Sequence, residues 1–203
     1  MKIIASYLSN HSADSTGLNV LVWPDSAMIR SGKPVFLPDD AFYCILLGLG
    51  AKIKSVGKSI GRMFASRYYD EVMPVVFILN EDATQKILKR EDPSGGEIVA
   101  DYSVICGNTT ILGDPRDIMG TRIEVIINPL PGAEPDTESV NETFGFANVK
   151  EAINEAIVEA SIKNTLKTGD IVAYLLPRAY NADPETVLRV KMDNETLIEN
   201  KLK

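Results

Sequence analysis

Four stretches of the chain are apolar almost without interruption and are bounded by turn-forming residues. They are AFYCILLGLGAKI (41–53), MPVVFIL (73–79), TRIEVIIN (121–128) and GDIVAYLLP (169–177). Runs of this length and bounding predict strands buried in a sheet. The C-terminal ETVLRVKMDNETLIENKL (185–202) instead alternates apolar and polar residues around Asp193-Asn194, which predicts a hairpin with one exposed face. Two segments carry the three-and-four spacing of a helix. In one, Val56, Ile60, Met63, Phe64 and Tyr68 predict a helix within 56–72. In the other, Val149, Ala152, Ile153, Ala156, Ile157 and Ala160 predict a helix over 148–164, with Asn148 and Glu151 placed as an N-cap pair. Many strands, two helices and no regular strand–helix alternation indicate an α+β fold that is mostly β.

Two polar stretches interrupt the pattern, KREDPSGGE (89–97) and NPLPGAEPDTESVNET (128–143), and both predict surface loops. Neither separates two self-sufficient cores, so one domain spanning 1–203 is expected. The composition, 45% hydrophobic and 24% charged, is that of a globular chain able to bury a core without staples. A net charge of −7 and a pI near 4.8 argue against a nucleic-acid surface, which needs clustered basic residues. The densest basic stretch, Lys52, Lys54, Lys58, Arg62 and Arg67, is spaced as one solvated face. The opening MKIIASYLSNHSADS lacks the apolar run of a secretory signal, and no stretch reaches the length of a membrane span. Cys44 and Cys106 sit among apolar neighbours and read as free buried thiols. A reduced, cytoplasmic setting is the expectation.

Four segments, in order along the chain, resemble the fumarylacetoacetate hydrolase family in its short bacterial form. MKIIA resembles that family's first strand, and PDSAMIRSGKPVFLPD (24–39), which contains Ser26, resembles its substrate-loop segment. GKSIGRMFASRYYDEV (57–72) is similar to the helix that follows the catalytic strand, with Arg-Tyr-Tyr-Asp as the most specific match. TLKTGDIVAYLLP (165–177) resembles the turn and strand before a Gly-Thr-Pro element. The resemblance implies a mixed β-sandwich roll with a few helices. It also implies a homodimer, or pairing with an active relative, and chemistry on small oxo-acids assisted by Mg²⁺ or Mn²⁺. Such hard cations require oxygen ligands, which the family supplies from a Glu-x-Glu pair and an Asp.

In this chain those positions fall on Leu46 and Gly48 for the pair and on Phe77 for the Asp. No acid lies from Ala41 to Ser55, nor between Val72 and Asn80, so a shift of register restores none of them. Other implied positions are altered too: Trp23 and Ala100 stand where relatives carry Lys, and Leu176 stands for the Thr of Gly-Thr-Pro. The single histidine, His11, lies near the family's histidine-bearing segment without its surroundings and reads as a solvated loop residue. Empty carboxylate clusters are costly because like charges crowd one another, and apolar replacements remove that cost. The expectation is therefore no catalytic residue, no metal, and a protein kept for binding or association, the altered pocket being filled or holding a small uncharged ligand. The alternative is a relocated oxo-acid site drawing on Asp39, Asp40, Lys58, Glu81, Asp82, Glu97 and Asp101. A misplaced alignment, with ligands from Glu91, Asp92, Glu97 and Asp101, is disfavoured by their Gly- and Pro-broken setting.

Overall fold

A computed structural model describes residues 1–8, 18–37, 41–91, 103–111, 122–131, 139–145 and 149–203. In chain order the elements are β1 (Lys2–Leu8), β2 (Leu18–Pro24), β3 (Met28–Arg30), β4 (Tyr43–Ile53), β5 (Tyr69–Asn80), α1 (Glu81–Leu88), β6 (Val104–Cys106) and β7 (Thr110–Ile111). They continue with β8 (Arg122–Pro129), β9 (Val140–Gly145), α2 (Val149–Lys163), β10 (Ile171–Asn181), β11 (Thr186–Met192) and β12 (Glu195–Leu202). The larger sheet runs β2-β1-β10-β4-β5-β6-β3, with β7 beside β5, and the smaller runs β12-β11-β8-β9. The larger sheet is mixed: β1 runs parallel to β10 and β3 to β6, while the remaining pairs are antiparallel. This is the mostly-β α+β architecture the pattern predicts.

The uninterrupted apolar runs are explained by burial on both faces. Along β4, Ile45, Leu47, Leu49 and Ala51 enter a core shared with α2 and the smaller sheet. Leu46 points the other way, into a second cluster with Ile3, Trp23, Phe77 and Ala83. Strand β5 divides likewise: Val72, Val76 and Ile78 go to the first cluster, and Met73, Val75, Phe77 and Leu79 to the second. Period-two alternation thus survives in the packing although both alternating sets are apolar.

Asp170 ties the N-terminus to this sheet. Its carboxylate accepts from the Lys2 backbone N–H (3.0 Å), from Lys2 Nζ (2.7 Å) and from the Lys167 N–H (2.8 Å), which fixes β1 beside β10. The C-terminal hairpin forms as expected, Met192 facing Glu195 across Asp193 and Asn194. Both turn residues have positive φ (49° and 73°), the conformation that a tight right-twisted hairpin demands and that Asp and Asn tolerate.

Three local expectations need correction. Residues 56–72 do not form a helix; a 3₁₀ turn covers Arg62–Arg67 and β5 begins at Tyr69. Gly57 and Gly61 weaken a helix there, Ser59 takes φ 49°, and Ile60, Ala65 and Tyr69 supply the buried contacts. The loop over 128–143 is shorter than predicted, since Asn141, Glu142 and Thr143 pair with Ile126, Val125 and Glu124. The short helix α1 was not foreseen, although its signal is present: the Asn80 side chain accepts from the Ala83 N–H (2.8 Å), and Glu81 and Asp82 fill the first turn. The second predicted helix forms as Val149–Lys163, while Asn148, its expected cap, lies outside the described residues. Among the described residues no helix is long and apolar enough to cross a membrane.

Candidate functional site

The three positions at which the resemblance implies metal ligands come together in the middle of the larger sheet. Leu46 and Gly48 lie two apart on β4 and therefore share one face, and Phe77 is the direct cross-strand partner of Leu46. Strand β2 brings Trp23 onto the same face through β1, where it pairs with Ile3. Trp23, Leu46 and Phe77 are all 0% exposed. The Trp23 and Phe77 rings stand 4.9 Å apart between centroids and are tilted by 49°, a favourable aromatic contact.

Gly48 completes the packing by having no side chain. A Cβ there would meet the Tyr174 carbonyl oxygen at 3.0 Å, Leu175 Cδ2 at 3.2 Å and Phe77 Cε2 at 3.5 Å. Any side chain there would need the Tyr174 carbonyl and Leu175 to give way by a few tenths of an ångström. Leu46, Gly48 and Phe77 also offer no oxygen, so the residues present do not fit a divalent cation. Among the described residues, no group of three or more His, Cys, Asp or Glu side chains is disposed to hold a metal ion.

The remaining predicted positions are dispersed. Leu176 lies on the opposite face, in the core shared with α2, and its neighbour Leu175 is the residue that joins the Trp23–Phe77 cluster. Ordinary alternation along β10 causes this, with Val172 and Leu176 on one face and Ala173 and Leu175 on the other. Ser26 is exposed in a 3₁₀ turn at Asp25–Ala27. Of the alternative candidates, Asp82 and Glu81 are exposed in the first turn of α1, and Lys58 is exposed in the connection after β4. His11, Asp39, Asp40, Asp92, Glu97, Ala100 and Asp101 lie outside the described residues.

Both cysteines are buried and unpaired with each other. Burial pushes the Cys106 thiol up to about 12 and also raises Cys44, where a hydrogen bond with Thr84 acts in the opposite direction. Neither is an activated nucleophile. Beyond the filled cluster, at the start of β4, an open cleft of about 490 Å³ is lined by Phe42, Tyr43, Cys44, Glu81, Asn181 and Asp183, among others. Sequence reasoning singled out Glu81 but missed this cleft, because Asn181 and Asp183 come to it only through the end of β10.

No protein-family sequence model matches the chain, and no curated protein matches it in sequence. Solved structures do match. A fumarylacetoacetate hydrolase family protein from Yersinia pestis superposes with a TM-score of 0.77 at 14% identity, over 100% of this chain and 92% of that one. The 5-carboxymethyl-2-hydroxymuconate delta-isomerase from Mycobacterium smegmatis gives 0.74 at 15% identity, over 99% of this chain and 78% of that one. Fumarylpyruvate hydrolase from Pseudomonas aeruginosa, solved with Mn²⁺ and pyruvate, gives 0.71 at 14% identity, over 100% and 89%. At such identities the likeness concerns the backbone arrangement, and the chain has the fold seen in structures of the fumarylacetoacetate hydrolase family.

Proposed function

We propose that this protein is a divergent member of the fumarylacetoacetate hydrolase family that carries out no metal-dependent catalysis and serves instead in binding or assembly. Four collinear segments and the shared fold support the family placement. One observation supports the loss of chemistry: the three implied ligand positions are Leu46, Gly48 and Phe77, closed over by Trp23 with no exposed surface on the three large side chains. A family reaction needs a cation to hold the oxo-acid and to stabilise its enolate, and this cluster provides hydrocarbon where that cation would need oxygen. No other cluster of described residues takes over the role, since Asp82 and Lys58 point to solvent from separate elements.

The test is ligand-linked stability together with turnover. A ligand that binds the folded state at 100 times its Kd raises stability by about 2.7 kcal/mol, which corresponds to several degrees in Tm. Millimolar Mg²⁺ or Mn²⁺ should leave Tm unchanged, and oxaloacetate and fumarylpyruvate should decay at the buffer rate in the presence of either ion. A metal-dependent rise in Tm accompanied by turnover would overturn the proposal.

A further inference from the structure

The open cleft of about 490 Å³ at the start of β4 lies clear of the filled cluster, since none of Trp23, Leu46, Gly48 and Phe77 lines it. Its volume is that of a small-molecule site, for which roughly 300–1,000 Å³ is usual. Sheet order builds it. Strand β4 runs between β10 and β5, and its first residues pair with the last of both: Tyr43 with Asn80, and Cys44 with Asn181. Backbone hydrogen bonds carry these attachments past the strand ends. The Glu81 N–H donates to the Phe42 carbonyl (3.0 Å), and the Ala182 N–H donates to the Tyr43 carbonyl (2.9 Å). Glu81, after β5, and Asp183, after β10, thereby reach the same cleft as Phe42 and Tyr43.

The chemistry of the lining has one sign. Among the described residues that line the cleft, both charged ones are acids, and neither enters a salt bridge. Arg178, which lines an adjoining cavity with Asp183, is paired with Glu142. Burial chiefly raises the Cys44 thiol, and the charges of Glu81 and Asp183 raise it further, so both negative fields reach this wall. Two amides of α1 that would oppose a cation are already taken, that of Glu81 by the Phe42 carbonyl and that of Ala83 by Asn80 Oδ1. Phe42 is 83% exposed and adds little to the core, and Tyr43 beside it is half-buried. Aromatic faces and carboxylates both attract positive charge, and Asn181 adds a carbonyl acceptor for an ammonium N–H. An oxo-acid would be repelled here.

We infer that this cleft binds a small organic cation of the alkylammonium class, with Glu81 and Asp183 supplying the opposite charge and Phe42 and Tyr43 the aromatic faces. The inference deepens the proposed binding role and rests on that reading. It concerns an organic cation and not a divalent metal, so the two can fail separately: metal-dependent turnover would overturn the first and leave the cleft to its own test.

Isothermal titration calorimetry at low ionic strength tests it on the full chain. The probes are choline against its uncharged carbon isostere dimethylbutanol, and cadaverine against pentanediol. At least one cation should bind roughly tenfold more tightly than its uncharged counterpart, the gain that one cation–π contact and a partly exposed ion pair together supply. Glu81→Gln with Asp183→Asn keeps the shape of the cleft and should abolish that preference. Phe42→Ala should weaken binding by roughly threefold without lowering Tm, since the side chain is exposed. The net charge of −7 attracts cations everywhere, so Asp82→Asn, in the same turn of α1 but off the cleft, is the control and should bind as the wild type does. Cations that bind no more tightly than their counterparts overturn the inference. So does a preference that survives the double substitution, or one lost equally in Asp82→Asn.

Discussion

Replacing Phe77 by Ala distinguishes a filled pocket from an open one. Phe77 is 0% exposed, is paired across β4–β5 with Leu46 and lies 4.9 Å from the Trp23 ring. If the ring is core, its removal costs the lost transfer free energy plus a cavity, about 3–5 kcal/mol for a buried Phe. Of this, about 1 kcal/mol belongs to the aromatic pair. For a chain of 203 residues each kcal/mol shifts Tm by roughly 2–4 °C, so Phe77→Ala should lower Tm by roughly 6–20 °C. A ring that merely lined a solvent-filled cleft would lose little on truncation, roughly 1 kcal/mol or less. Differential scanning calorimetry reads the difference directly. A double-mutant cycle with Trp23→Leu should return a coupling near 1 kcal/mol, since the two rings touch. Because the walls around Phe77 are apolar, the cavity should stay dry and take up benzene, recovering part of the lost Tm. A fall of under 3 °C with no benzene effect would refute the packed-cluster argument.

Two further predictions follow from buried polar groups. Burial by itself would raise the Asp170 carboxyl, but hydrogen bonds from Lys2 and Lys167 outweigh it and hold the group below its ordinary value. Stability from this site is therefore complete above the unfolded carboxylate pKa of about 3.9 and is lost as pH falls through the folded value. Asp170→Asn should lower Tm at pH 7 by several degrees, through the loss of charged hydrogen bonds worth about 1.5–3 kcal/mol each, and should flatten the acid limb of a Tm–pH series; an unchanged acid limb would show that Asp170 does not control it. For Cys106, a thiol raised to about 12 is ionised at pH 8 in roughly one molecule in ten thousand. Iodoacetamide should label neither Cys106 nor Cys44 in the native protein and both in urea, as read by intact mass; rapid native labelling of Cys106 would contradict its burial.

Residues whose role is set within a few positions of the sequence were legible. The Asp193-Asn194 turn is a local conformational preference, and the stripe on 149–163 has enough turns to fix its buried face. The same spacing misled over 56–72, because periodicity cannot tell a helix from a turn whose apolar residues are divided between core and surface: Ile60 and Ala65 are buried, whereas Val56 and Met63 are not. In the site, the identities at 46, 48 and 77 could be read from the chain, and their shared face followed from strand parity. The face taken by Leu176 follows from the same parity, but the cross-strand partners beyond it do not, since the β10–β4 register shifts between Leu175 and Ala179. Nor could the cleft beside Glu81 be read, because its wall is completed by residues a hundred positions away.

On the proposed reading that Leu46, Gly48 and Phe77 stand where relatives carry carboxylates, the sizes of these side chains argue that they act as a set. Phe77 is larger than an Asp, and the volume it adds extends toward Gly48, where a Cβ would stand 3.5 Å from its Cε2. Gly48 is smaller than a Glu by the whole side chain, and the space so released holds the Phe77 edge and Leu175. Neither change fits well without the other: a Glu at 48 beside Phe77 would be both overpacked and an unpaired buried charge, and a small side chain at 77 beside Gly48 would leave a void. Close packing ties such positions together, so a return to carboxylates one residue at a time passes through states less stable than either end. A pocket altered in this coupled way is held shut by the same forces that hold the sheet together, and β4 and β5, which carry it, are buried on both faces along most of their length. On the proposed reading, loss of the ligands and retention of the fold share one cause, because the side chains that stand in place of oxygen donors are the ones that join the two central strands to Trp23 and β2.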